Sequence, residues 1–196
     1  MQRRNFMLKS TAALALGGLA LAGCTTTSNS TAQQNAGTSD DRAAIDSSVD
    51  ATMQRLYTTA RGSRELVAKA RGVLVFPQVL AAGLIVGAQY GKGSLRVGGG
   101  TVGYYSTTSA SIGLQAGAQS KAIIFLFMTQ DALDGFRNAD GWSVGGDASV
   151  ALVKMGANGA IDSTTATAPV EVFVLTNAGL MADLSLQGTK VSRLKI

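Results

Sequence analysis

From Asp41 onward the apolar residues fall at helical spacing. Ile45, Val49, Met53, Leu56 and Ala60 recur three or four apart and form one stripe. Ser39 or Asp40 stands where a cap belongs, and Gly62 where such a helix stops. Ser63 opens a shorter helix through Leu66, Val67 and Ala70, closed by Gly72. The period then changes from helical to two. "VLVF" (73–76) reads as a β run that Pro77 is expected to stop. "GLIVGAQYGKGSLRV" alternates, "TVGYYSTT" keeps strand character, and "SIGLQAGAQ" alternates again. "AIIFLFM" is apolar on both faces, as a central strand is. Thr129 caps a short helix, "QDALDGFRN", with Leu133 and Phe136 on one side. "WSVGGDASVALVKM", "VEVFVLT" and "LMADLSLQGTKVSRLKI" supply further strands. The pattern predicts an α+β fold of about seven or eight mainly antiparallel strands, in a curled sheet, barrel-like or sandwiched. N-terminal amphipathic helices front the sheet, and one short helix lies between strands.

The first residues change the meaning of the charge. Arg3, Arg4 and Lys9 precede an apolar run from Ala12 to Ala22, which suits an export leader and is too short to span a bilayer. "LAGC" then resembles the lipobox of bacterial lipoproteins, with Cys24 the residue that takes lipid after cleavage. "RRNFMLK" also resembles a twin-arginine export signal, so twin-arginine and Sec export both stay open. Thr25 follows Cys24 in place of the aspartate that holds such proteins at the inner membrane, which points to the outer membrane, facing the periplasm. The expected division is a leader over 1–23, a flexible tether over 24–40 and a folded domain over 41–196. "TTTSNSTAQQNAGTS" has no apolar residue larger than alanine, so it has nothing to bury, and its r.m.s. reach is about 20 Å. The whole chain carries +5, but three of its 17 basic residues leave with the leader, which leaves 14 against 12 acids, or +2. The high pI therefore gives no argument for nucleic-acid binding. Cys24 is the only cysteine, so no disulfide forms within the chain.

Candidate chemistry is mostly removed by what the chain lacks. It has no histidine, and its one cysteine is assigned to lipid, which excludes Cys/His metal sites, Ser-His-Asp triads and Cys-His dyads. The expectation is a protein with no metal, no cofactor and no catalysis, a carboxylate site being the one catalytic option left. Asp131 and Asp134 share a helix face but read as acids favoured by the helix dipole. "GKGS" (91–94) lacks the first glycine of a phosphate loop, because Val86 stands there. Lys92 and Arg96 share a strand face that suits an anionic head group or solvent. A Gly-x-Gln or Gly-x-Asp unit recurs at Gly87, Gly113, Gly117 and Gly145, and would set Gln89, Gln115, Gln119 and Asp147 beside missing side chains. Two readings stay open for that face: a tightly coiled, packed sheet, or a polar groove where a ligand approaches backbone.

"AKARGVLVFP", "AGLIVGAQYGKGSLRV", "GLQAGAQSKAIIFLF", "GGDASVAL" and "GLMADLSLQGTKV" together resemble the SYLF-domain family, over roughly residues 50 to 196. Its bacterial branch consists of small lipoproteins, related to yeast actin-patch and plant FYVE proteins. Arg71 stands where that family usually has lysine, Asp183 where a glycine is common, and Gln187 where a glutamate is frequent. The resemblance implies binding of phospholipid or phosphoinositide, with basic residues helping and no catalysis. The basic residues that suit this are Arg64, Lys69, Arg71, Lys92, Arg96 and Lys121. The expected partners are anionic membrane phospholipids, with envelope proteins as further candidates and no nucleic acid. The alternative is an outer-membrane scaffold that binds proteins and owes its membrane affinity to Cys24 alone.

Overall fold

The computed structural model describes residues 30–83, 86–112, 119–153, 161, 168–180 and 186–196. Helix α1 spans Ser30–Thr59 and α2 spans Ser63–Lys69. Between them Gly62 takes φ 86°, the left-handed turn that lets the chain reverse. The predicted stripe is the buried face of α1: Ile45, Val49, Met53, Leu56 and Ala60 are all in the core. The helix starts at Ser30, not at Asp41, so residues 30–40 continue it where composition predicts tether and a cap at Ser39 or Asp40. Once the stripe docks and nucleation is met, Ala and Gln residues upstream propagate a helix at little cost.

Nine strands follow among the described residues: β1 Gly72–Gly83, β2 Val86–Val97, β3 Gly100–Ile112, β4 Gln119–Phe127, β5 Trp142–Ser143, β6 Val150–Leu152, β7 Val170–Thr176, β8 Gly179–Leu180 and β9 Lys190–Arg193. Helix α3, Gln130–Asn138, lies between β4 and β5, and the Thr129 hydroxyl caps it by accepting from the Ala132 amide at 3.2 Å. The strands form one sheet in the order β5-β9-β3-β2-β1-β4-β7-β6, with β8 on β7. Every named pairing is antiparallel except β6 with β7. Val97 and Gly100 pair across a Gly98-Gly99 turn with φ 60° and 86°, the tight hairpin that two glycines favour.

Pro77 does not stop its strand. It sits in a bulge, where the β1 register slips against both β2 and β4, so its missing N–H breaks no regular ladder bond. Opposite the bulge, a Cβ on Gly93 would stand 2.0 Å from the Val75 carbonyl oxygen and 2.8 Å from the Phe76 ring. The glycines of "GKGS" are thus needed for close backbone approach in a coiled sheet. The "AIIFLFM" reading holds: β4 lies between β1 and β7, and Ala122 to Phe127 are all buried.

The sheet has a core on each face. Leu74, Phe76, Ile123, Phe125 and Phe127 pack with Leu133 and Phe136 of α3, Trp142 of β5 and Val172 of β7. β5 and β7 are six strand spacings apart in the order, about 29 Å in a flat sheet. Their meeting in one cluster shows how far the sheet curls, into a half-barrel. On the other face Val75, Ile124, Leu126, Phe173 and Leu175 take the α1 stripe and Leu66 of α2. No described helix is long and apolar enough to cross a membrane.

Candidate functional site

Period two in β2 sends Tyr90, Lys92, Ser94 and Arg96 to the α1 side, and α1 answers with acids. The Lys92 ammonium lies 3.8 Å from Asp41, and the Arg96 guanidinium is hydrogen-bonded to Asp50. Between them Asp46 is a hub. It accepts from the hydroxyls of Ser94 at 3.1 Å, Thr101 at 2.9 Å and Tyr104 at 2.7 Å, while Arg96 also donates to its backbone oxygen at 3.3 Å. Burial, then the hydrogen bond to Asp46, pushes the Tyr104 phenol up. Arg42 donates through Nε to the Ile196 backbone oxygen at 2.9 Å and lies over the Tyr104 ring. Lys92 and Arg96 therefore do share a face, one that α1 runs along, with Lys92 still exposed and Arg96 partly covered. The signal was present in the sequence, since Asp46 and Asp50 flank the stripe residues Ile45 and Val49.

Beyond Arg96, α1, α2 and the start of β1 enclose a cavity of about 420 Å³. Met53, Tyr57, Val67 and Val73 form an apolar wall, and Arg71 and Arg96 stand on its polar side, next to the Gly98-Gly99 turn. Two of the six candidate cations thus meet in one place. They differ in commitment. Arg96 is bonded to Asp50, and its buried Nε finds no acceptor among the described residues. Exposed Arg71 makes no side-chain hydrogen bond or ion pair with the described residues. Arg64 stacks on Tyr57, its guanidinium carbon 4.2 Å from the ring centre, and so backs the apolar wall from outside. Neither Met53 nor Tyr57 was a candidate from sequence, because a helical stripe reads first as core.

The other candidates lie elsewhere. Lys69 ends α2 in solvent. Lys92 lines a second groove of about 330 Å³ with Asp41, Ile45, Leu80 and Tyr90. Lys121 belongs to the opposite face of the sheet, next to Val79, where burial alone pulls its ammonium below the usual lysine range. Of the repeated glycine units, Gln89 and Gln119 both pair with Ala81, one on each side of it, so these two share a face of the sheet. Gln89 is half-buried in β2, Gln119 is exposed at the start of β4, and Gln115 lies outside the described residues, as does Cys24. Gly145, Gly146 and Asp147 are a turn and not a strand, with Gly145 at φ 88°. Asp147 accepts from both the Oγ and the amide of Ser143 at 2.7 Å, and those two bonds lower its carboxyl. It closes a turn.

Residues 108–195 match the family model Ysc84, described as Las17-binding protein actin regulator. The match covers 88 of the chain's 196 residues and is consistent with the SYLF-domain family. The match begins late in β3 and runs through β9, so it takes in β4, α3 and the core rings of Phe125, Phe127, Phe136 and Trp142. Arg71, Arg96 and α1 precede it. No curated protein matches the chain.

Proposed function

We propose that this chain is an acylated envelope lipoprotein whose SYLF domain binds anionic phospholipid and catalyses nothing. One observation carries the reading: Arg71 and Arg96 border an apolar-walled cavity of about 420 Å³. That pairing suits a lipid, whose phosphate takes charge-assisted hydrogen bonds while the first carbons of its chains lie against Met53, Tyr57 and Val67. Arg71 offers an uncommitted guanidinium, and a bound phosphate would compete with Asp50 for Arg96. The leader and the "LAGC" motif support acylation at Cys24 and an envelope location. For that reason the Las17 and actin association in the family description is not carried over to this chain.

The test is flotation of the chain from residue 25 onward with liposomes. Anionic phosphatidylglycerol vesicles should carry it upward and phosphatidylcholine vesicles should not. Arg71→Ala should weaken the effect by about 1 kcal/mol, and added salt should weaken it further. Equal flotation with both vesicles, or none with either, sinks the reading. A scaffold function draws on a different observation: Leu80 and Tyr90, paired across β1 and β2, are 52% and 47% exposed beside the Lys92 groove. Crosslinking in cells that captured one stoichiometric envelope protein through Tyr90 would favour it.

A further inference from the structure

On the α3 side of the sheet lies a cavity of about 340 Å³, lined by Val102, Tyr105, Asp134, Arg137, Asn138 and Arg193. Three elements build it. Leu133 and Phe136 fasten α3 to the core, which puts Arg137 and Asn138 of its last turn at the rim. Tyr105 of β3 pairs directly opposite Arg193 of β9, so their side chains leave the same face as close neighbours. The Tyr105 ring packs 4.9 Å from Phe136, and the residue is only 6% exposed. Its hydroxyl nevertheless has no hydrogen-bond partner among the described residues, and it turns toward the cavity. A Cβ on Gly103 would stand 3.4 Å from that hydroxyl and 3.6 Å from an Arg193 nitrogen, so the two polar groups converge on one spot. Neither Arg137 nor Arg193 forms an ion pair with a described residue.

The geometry points to a second anion site here, in which Arg137, Arg193 and the Tyr105 hydroxyl hold a phosphate-type oxyanion. Guanidinium groups match such an anion with paired N–H donors, and a phenol adds a third. Burial pushes the Tyr105 phenol up while Arg193 and Arg137 pull it down, so both cations reach the hydroxyl, which stays protonated and able to donate at neutral pH. Asp134 and the carbonyl end of α3 oppose an anion, but Asp134 already accepts from Gln130 at 3.0 Å, and two guanidinium charges outweigh one carboxylate. Apart from the Tyr105 ring, Val102 is the one apolar lining residue, so the cavity suits a small phosphate ester or a head group and not an acyl chain. The site is across the sheet from Arg71 and Arg96 and does not depend on the lipid reading of that cavity.

The experiment is a titration of the full chain, in neutral detergent, with inorganic phosphate and then glycerol phosphate, followed by NMR of the arginine Nε–H groups. Saturable shifts are expected at Arg137 and Arg193. Arg193→Gln and Arg137→Gln should each weaken binding by at least about tenfold, and Tyr105→Phe severalfold, with the amide spectrum otherwise kept. Both arginines are exposed, so their loss leaves the core intact. An absence of saturable shifts, or unchanged affinity in the Arg137→Gln/Arg193→Gln double variant, overturns the site. The source is read from phosphatidic acid vesicles. Loss of both vesicle and phosphate binding in the double variant assigns a head group, and loss of phosphate binding alone assigns a soluble ester. Arg71→Ala should leave the phosphate titration unchanged, which separates failure here from failure of the lipid reading.

Discussion

Beneath α3 the sheet presents Phe76, Phe125, Phe127 and Trp142, which pack with Phe136 of the helix ring against ring, centroids 4.9 to 6.2 Å apart. Beneath α1 it presents Val75, Ile124 and Leu126 to an aliphatic stripe, and the helix is held by Asp46, Asp50 and Arg96 along its edge. The first face joins strands from both ends of the sheet order through side chains that nothing small can replace. The second is a lid of one helix over three central strands, fastened by polar contacts that water and anions compete for. It also buries Glu171, fully enclosed in β7, whose carboxylate oxygens have no hydrogen-bond partner among the described residues. Local opening is drawn from regions held in this way. The contrast teaches where binding can be coupled to motion: the Arg71 cavity lies under the lid, whereas the Arg137 cavity lies on the rim of the sealed face.

The largest expected effect tests the sealed face. Phe127→Ala should cost about 3–5 kcal/mol and lower protection of every strand together in native-state hydrogen exchange. Leu56→Ala on the lid should cost about 2–5 kcal/mol but expose α1 amides ahead of β4. If the two variants open the molecule in the same order, the distinction between the faces is wrong. Next in size is the polar fastening. Asp46→Ala leaves the hydroxyls of Ser94, Thr101 and Tyr104 without their acceptor and should cost about 1–3 kcal/mol by urea unfolding. Its effect should concentrate in α1 exchange, and a uniform loss across the sheet would contradict a local fastening.

The smallest effect is a slope. Burial raises the Glu171 carboxyl above its ordinary 4.5, so as pH rises the unfolded chain releases this proton before the folded one does. The residue's contribution to stability is complete below about pH 4.5 and declines as pH climbs through the folded value. Relative to the unaltered chain, Glu171→Gln should therefore gain stability between pH 5 and 7. Urea midpoints at several pH values measure this. Parallel curves for the two proteins would show that Glu171 stays ionised with a partner.

Much of the architecture was legible because it rests on periodicity. The stripe from Ile45 to Ala60, the doubly apolar β4 and the Thr129 cap are local patterns that burial merely confirms. Pro77 and the Gly145 turn were misread for one reason: a bulge and a tight turn interrupt alternation without changing the composition around them. The candidate site was legible only as a set of charges. Nothing along the chain separates Arg71, which meets Arg96 in one cavity, from Lys92, which pairs with Asp41, or Lys121, which lies across the sheet.

What the sequence by itself determined is which segments become helix or strand and which faces they bury, because those depend on neighbours within a few residues. Only the tertiary structure decided which charges meet. Asp46 lies 48 residues before Ser94 and 58 before Tyr104, and Tyr105 finds Arg193 through the closure of β9 onto β3. Such distances are set by register and by the curl of the sheet, and the one-dimensional pattern records neither.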